Sequence, residues 1–317
     1  MRSALLALAL AAAAPAAAVA GVTSCRLERG VLIAPAEVAG VTGDFIVDTG
    51  QAQSELDEDQ AQEVGFSQPR FTAPVRLAGV RLPAVAVASA ELDARTVFLS
   101  TPIAGVIGLD VLKGLVVDVS FAPCRLTLSP PGAAPPFPAD REIEMGWRAN
   151  LPVVLAAVGD GARSWPGAFV PATGLDLSLR LDDRLAGVPA AAKPQELYPG
   201  GVWRAQLDML SFAGDSFRDV DAGLWKGVSK TTEPAGMIGG PVLQHYRLRF
   251  DFPAGRLLLA KPGEPSATAA KGRRISATRC ARGSDSSPRA GRKRSADRSW
   301  RRGRTACAPP SWARRPR

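Results

Sequence analysis

Asp48 is the residue on which chemistry could be built. It closes Gly43-Asp44-Phe45-Ile46-Val47-Asp48-Thr49-Gly50, a run of strand-forming apolar residues that ends in an acid, a small hydroxyl residue and a glycine. Such a run predicts a buried strand that stops at a tight turn. The strand holds the carboxylate at a fixed point and Gly50 lets the backbone bend sharply. Alone, Asp-Thr-Gly is a short signal that any turn can contain. The same frame returns at Gly167-Ala168-Phe169-Val170-Pro171-Ala172-Thr173-Gly174, with Ala172 where the acid would stand.

Other chemistries lack their residues. His245 is the only histidine, and no Gly-x-Ser-x-Gly elbow accompanies it. Zinc sites built on paired histidines are excluded, and without a Cys-x-x-Cys pair no metal centre is expected. There is no phosphate loop and no Gly-x-Gly-x-x-Gly, so no cofactor is expected. The remaining acids read structurally. Asp44 falls near a hairpin end in solvent, Asp110 is a helix N-cap, and Asp118 and Asp251 are surface acids near strand ends. His245 falls at a helix end, opposite Gly114 in the repeat.

The elements that must position Asp48 are short and mostly β. The 27 prolines and 31 glycines favour many turns over long helices. Strand and hairpin signals fill residues 26–48, and Ser54 to Val64, closed by Gly65, reads as a short helix. Strands return at Pro74 to Leu82, turning at Gly79, and at Val85 to Ala88. Val106-Ile107-Gly108 precedes another short helix. Leu115 to Val119 and Arg125 to Leu128 end this half as two strands around Ala122-Pro123.

Residues 129–140 contain five prolines and read as a semi-rigid linker between halves 21–128 and 141–263. The second half repeats the first. After Gly174 a short helical stretch is expected to close on Gly187. Gly236-Met237-Ile238-Gly239 then matches Gly105-Val106-Ile107-Gly108, and Arg256-Leu257-Leu258-Leu259 matches Arg125-Leu126-Thr127-Leu128. Two copies of one fold unit follow from this order.

The ends differ in kind. Residues 1–20 read as a signal peptide: Arg2, an apolar stretch from Leu5, and the small-x-small site Ala18-Val19-Ala20. The expected location is therefore the periplasm or the exterior. There Cys25 and Cys124 could pair as a disulfide. Val22-Thr23-Ser24-Cys25 also resembles a lipobox, so lipidation of Cys25 and a membrane anchor is the alternative. Residues 264–317 hold 16 basic and 3 acidic residues, a net +13, against 23 and 27, a net −4, in the rest. This stretch reads as a disordered basic tail, and no nucleic-acid partner is expected for an exported chain.

Ile46-Val47-Asp48-Thr49-Gly50 followed by Val106-Ile107-Gly108 resembles a retropepsin-type aspartic protease, and the duplication resembles the two-lobed pepsin plan. The resemblance implies an all-β, acid-protease fold of two tandem β-barrel lobes, with a cleft between them for a peptide or an unfolded protein segment. It implies that Asp48 is a catalytic acid and that Thr49, Gly50, Thr173 and Gly174 support the two loops. Residues 72–89 would supply a flap-like hairpin over the cleft. Such enzymes need two carboxylates sharing one proton, one to activate water and one to polarise the carbonyl. Ala172 marks the lost second acid. Three readings follow. In the first, the chain is an aspartic endopeptidase that takes its second acid from Asp176 or from Asp48 of a second copy in a homodimer. In the second, it is a pseudoprotease that binds extended peptide uncut. In the third, it is a β-rich envelope scaffold in which Asp48 caps a turn.

Overall fold

The computed structural model describes residues 20–161, 163–182, 195–198, 202–225 and 234–262. The predicted signal peptide, apart from Ala20, and the tail from Glu264 lie outside the described residues, as does Gly187. The first half forms ten strands: β1 (Gly21–Ser24), β2 (Arg26–Glu28), β3 (Val31–Val38), β4 (Val41–Val47), β5 (Glu55–Asp57), β6 (Arg70–Leu77), β7 (Val80–Ala90), β8 (Gly105–Ile107), β9 (Val116–Phe121) and β10 (Cys124–Ser129). Three short helices join them, α1 (Glu58–Glu63), α2 (Asp93–Thr96) and α3 (Leu109–Leu112). The second half contributes β11 (Arg141–Glu144), β12 (Gly146–Arg148), β13 (Leu151–Asp160), β14 (Arg163–Pro171), β15 (Leu179–Asp182), β16 (Gln195–Tyr198), β17 (Val202–Phe212), β18 (Asp215–Trp225), β19 (Gly236–Ile238), β20 (Arg247–Asp251) and β21 (Arg256–Ala260), with α4 (Gly240–Leu243) after β19.

Each half closes a six-stranded barrel. In lobe 1 the order is β3-β4-β8-β5-β7-β6, and β6 returns to pair with β3. In lobe 2 it is β13-β14-β19-β15-β18-β17, and β17 returns to β13. The strand that carries each Asp-loop frame is paired in parallel with the short strand of the second motif, Ile46 opposite Val106 and Val170 opposite Met237. Parallel pairs of this kind are buried on both faces. This explains the unbroken apolar run Phe45-Ile46-Val47. Phe45 and Val47 join the main core, while Ile46 packs on the other face with Val31, Ile33 and Val106.

The expected flap is corrected by the sheet. Residues 72–89 fall in β6 and β7, and β6 alternates strictly between exposed and buried residues. That hairpin is a wall of the barrel: Ala36 pairs with Leu77, and Leu56 with Ser89. Its turn at Ala78 packs on Gly21, so close that a side chain at residue 21 would strike the Ala78 carbonyl. The helix expected from Ser54 also starts later, because Glu55–Asp57 pairs as strand β5, and Asp57 is the N-cap of α1. Its counterpart in lobe 2, Leu179–Asp182, is a strand where the sequence suggested helix.

A third sheet, β1-β10-β9-β20-β21-β11, takes strands from both halves. Its central pair, β9 and β20, joins the lobes with Asp118 opposite Arg249. The Pro-rich segment passes from β10 to β11 over this sheet. Pro135 O accepts from Arg249 Nη2 at 2.7 Å, and the Phe137 ring lies 4.9 and 5.3 Å from the guanidinium carbons of Arg249 and Arg247.

Candidate functional site

The two loops that follow β4 and β14 meet between the lobes and hold each other by threonines. Thr49 Oγ1 donates to Pro171 O at 2.5 Å and accepts the Thr173 N–H at 3.2 Å. Thr173 Oγ1 donates to Val47 O at 2.6 Å and accepts the Thr49 N–H at 3.1 Å. Both threonines are buried, and every polar group in this exchange finds a partner in the opposite loop. Leu32 N–H adds a bond to Thr173 O at 2.9 Å.

The glycines allow the loops to approach. A β-carbon on Gly174 would lie 2.5 Å from the Asp48 carboxyl carbon, and one on Gly50 would lie 2.5 Å from the Ala172 methyl. Each glycine thus forms the floor beneath the other loop's acid position. Asp48 is 5% exposed. Its Oδ1 accepts from Gly50 N at 2.7 Å and from Gly174 N at 3.2 Å, while Oδ2 is ion-paired with Arg95 Nη2. Ala172 is 1% exposed and brings no polar atom. Asp176, the other acid of that loop, is half-buried and makes no hydrogen bond to Asp48.

Arg95 was not among the residues expected from sequence. It sits on α2, in the segment between β7 and β8. That segment is seated by Leu92, Leu99 and Ile103, which pack against Val31, Ile33, Ile46 and Val106. Ser100 N–H also bonds to Glu28. The packing carries the Arg95 side chain, 28% exposed, to the Asp48 carboxylate. Gln51 completes the group: its Oε1 accepts from Arg95 Nη1 at 3.5 Å and its Nε2 donates to Glu55 Oε1 at 2.8 Å.

Glu55 and Arg180 are repeat counterparts. Glu55 pairs with Val106 in lobe 1, and Arg180 with Met237 in lobe 2. Leu56 on one side, and Leu179 and Leu181 on the other, turn into the core. The alternation of a strand places Glu55 and Arg180 on the opposite face. Burial pushes the Glu55 carboxyl above its ordinary value; the Asp48 charge adds to this, and Arg95 and Gln51 oppose it. Burial pulls the Arg180 guanidinium down, Arg95 reinforces this by like charge, and Asp48 opposes it. The sequence signal for Arg180 was a base at the repeat position of an acid. The helical reading of both stretches concealed it.

The other expected residues fall elsewhere. Cys25 and Cys124 are joined in a disulfide, with Cα atoms 5.0 Å apart. Asp110 is inside α3, whose N-cap is Gly108; its carboxylate instead clamps Ser54, accepting from Ser54 N at 2.8 Å and Ser54 Oγ at 2.6 Å. Asp44 is ion-paired with Arg26 at 3.0 Å. Asp118 is not a solvated surface acid, since it grips Arg249 with both oxygens. Asp251 pairs with Arg256 at 3.0 Å. His245 lies against Phe217, in contact with neither loop.

No family model matches the sequence, and no curated protein matches it. Among solved structures, the chain is similar to the aspartic proteinase from Irpex lacteus at 15% identity, over 79% of this chain and 99% of that one, with a TM-score of 0.47.

Proposed function

We propose that this is an aspartic-protease-like protein that binds peptide segments between its lobes and does not hydrolyse them. One observation carries the reading: the Asp48 carboxylate is ion-paired with Arg95 and stands opposite the methyl group of Ala172. Hydrolysis by this class of site needs two carboxylates that share one proton. Here one carboxylate has no acid partner, and the oxygen that would accept a proton from water is engaged by a guanidinium. The turn-cap reading accounts for the Gly50 N–H contact alone. It does not account for Gly174 and Arg95, which reach Asp48 from the other loop and from α2.

The dimeric endopeptidase reading requires Asp48 of a second chain to enter where lobe 2 stands. The mutual threonine bonds hold the lobe 2 loop in that place, so entry would break four buried hydrogen bonds. The test incubates the purified chain with unfolded protein between about pH 3 and 7, the range in which carboxylate pairs titrate. Retention of substrate without new fragments is expected. Cleavage that disappears in Asp48→Asn overturns the reading.

A further inference from the structure

We propose that residues 91–104 form an acid-released strap beside the site: two carboxylates of lobe 1, Asp48 and Glu28, fasten its middle, and their protonation frees it. The strap is tested without a ligand, so it stands apart from the reading that the site binds peptide.

The first support is how the strap is fastened. It runs from the end of β7 to the start of β8 and contains α2. Its ends are fixed by packing, since Leu92 and Ile103 are buried. Ala104 secures the far end, where its N–H bonds to Asp44 O and its carbonyl accepts from Asp57 N, both at 2.9 Å. Between these ends the N–H groups of Arg95, Thr96, Val97 and Leu99 bond within the strap, to the carbonyls of Leu92, Asp93 and Thr96. Val97 is exposed, and Leu99 is only partly buried against the barrel. A stretch with so little buried apolar surface opens locally at low cost. Two polar bonds from this middle part end on barrel carboxylates. Arg95 Nη2 donates to Asp48 Oδ2, and Ser100 N–H donates to Glu28 Oε1. A third, from Arg95 Nη1 to Gln51 Oε1, is long at 3.5 Å. A bond to an ionised acceptor is about twice as strong as a neutral one, so loss of charge weakens both main fasteners together.

The second support is the charge around each fastener. Asp48 faces Arg95 and the amides of Gly50 and Gly174, and its charge reaches Glu55 on β5 and Arg180 on β15. Glu28 faces Ser100 and, at 3.6 Å, Arg26, which is itself paired with Asp44 at 3.0 Å. The Ser100 N–H holds the Glu28 carboxyl below its ordinary value of 4.5. That fastening is therefore present above pH 4.5 and is lost as pH falls through the lowered value. Burial raises the Glu55 carboxyl, so Glu55 becomes neutral before Glu28 does. Opening lifts the Arg95 guanidinium off Asp48. The acid of the site is thus capped near neutrality and uncapped in acid.

Hydrogen exchange on the full chain, read by mass spectrometry over residues 93–102 with β4 as internal reference, tests the strap. Glu28→Gln and Asp48→Asn put neutral amides where the protonated acids would stand. At neutral pH each should speed exchange over 93–102 about tenfold, the worth of one charge-assisted contact, and the two together should speed it further. Exchange in β4 should not change. Wild type taken from neutral pH to about pH 3, below the ordinary carboxylate range, should show the same rise once rates are corrected for the intrinsic pH dependence of exchange. Thermal melting identifies a variant that fails to fold, in which event the other variant and the acid series decide. Unchanged exchange over 93–102 in a folded variant overturns the strap. An acceleration that β4 shares overturns it too, because it marks general loosening. A rise in the variants with none in acid overturns release by acid.

Discussion

Asp118 and Arg249 occupy the same position in the two repeats and face each other at the centre of the sheet that joins the lobes. The repeat offset of 131 residues, set by Gly108 and Gly239, carries residue 118 onto residue 249. On β9 and β20 these two are register partners. A symmetric precursor would bring two identical side chains together here. This chain instead has an acid and a base, bonded at 2.6 and 2.7 Å, with Arg249 8% exposed. Removing one partner of such a pair leaves a buried charge, at a cost of about 3–5 kcal/mol. Asp118→Ala should therefore lower unfolding stability in urea by that order. Asp118→Leu combined with Arg249→Met should recover most of it. A cost for Asp118→Ala below about 1 kcal/mol would place the pair among surface bridges.

The threonine exchange gives a second expectation. Thr49→Val keeps the shape but strands the Thr173 N–H and the Pro171 carbonyl in a buried place. An unsatisfied buried group costs about 1–3 kcal/mol. Thr49→Ser should restore most of the loss, because it returns the hydroxyl. Thr173→Val should behave like Thr49→Val. In a double-mutant cycle the two losses should be less than additive, since the two hydroxyls also meet each other at 3.5 Å and hold the same pair of loops. Additive losses would show that the two loops are held independently.

Glu55 sets a pH dependence. Its carboxyl is raised above the ordinary 4.5, chiefly by burial. The folded state therefore binds a proton more readily than the unfolded chain. The associated stability is present in full below pH 4.5 and is lost as pH rises through the raised value. Glu55→Gln stays neutral and escapes that loss. The melting temperatures of wild type and variant should converge near pH 4 and separate towards neutral pH, with the variant higher. The opposite separation would show that attraction to Arg95 outweighs burial.

The strands and the twofold repeat were legible in the sequence because apolar runs, turn glycines and their order recur, while the closed barrels were expected only from the resemblance. The repeat also showed that the second copy keeps Thr173-Gly174 where it loses the acid, and the resemblance made these threonines the expected tie between the loops. What stayed hidden depends on contacts between segments distant in sequence. Arg95 lies 47 residues from Asp48 and reaches it only because Leu92, Leu99 and Ile103 seat the intervening segment on lobe 1. Asp110 reads as a cap by position, yet its bond is to Ser54, 56 residues away. The hairpin of β6 and β7 was misplaced as a flap, because its alternation fits a barrel wall and a free hairpin equally well.

The last prediction concerns restoring hydrolysis. Ala172→Asp supplies the missing carboxylate at a position whose Gly50 floor is intact. By itself it should give little activity, because Arg95 still occupies Asp48 Oδ2, the oxygen that a proton shared with the new acid would need, and Arg180 adds a second positive charge to the group. Adding Arg95→Gln removes the direct partner. Adding Arg180→Leu removes the second positive charge. Activity on unfolded protein should therefore appear in Ala172→Asp only when Arg95 is also replaced, and rise further in the triple variant. The rate should follow a bell-shaped pH profile, as one proton shared by two carboxylates requires. Activity in Ala172→Asp alone, equal to that of the triple variant, would show that the Arg95 ion pair is no barrier to proton sharing.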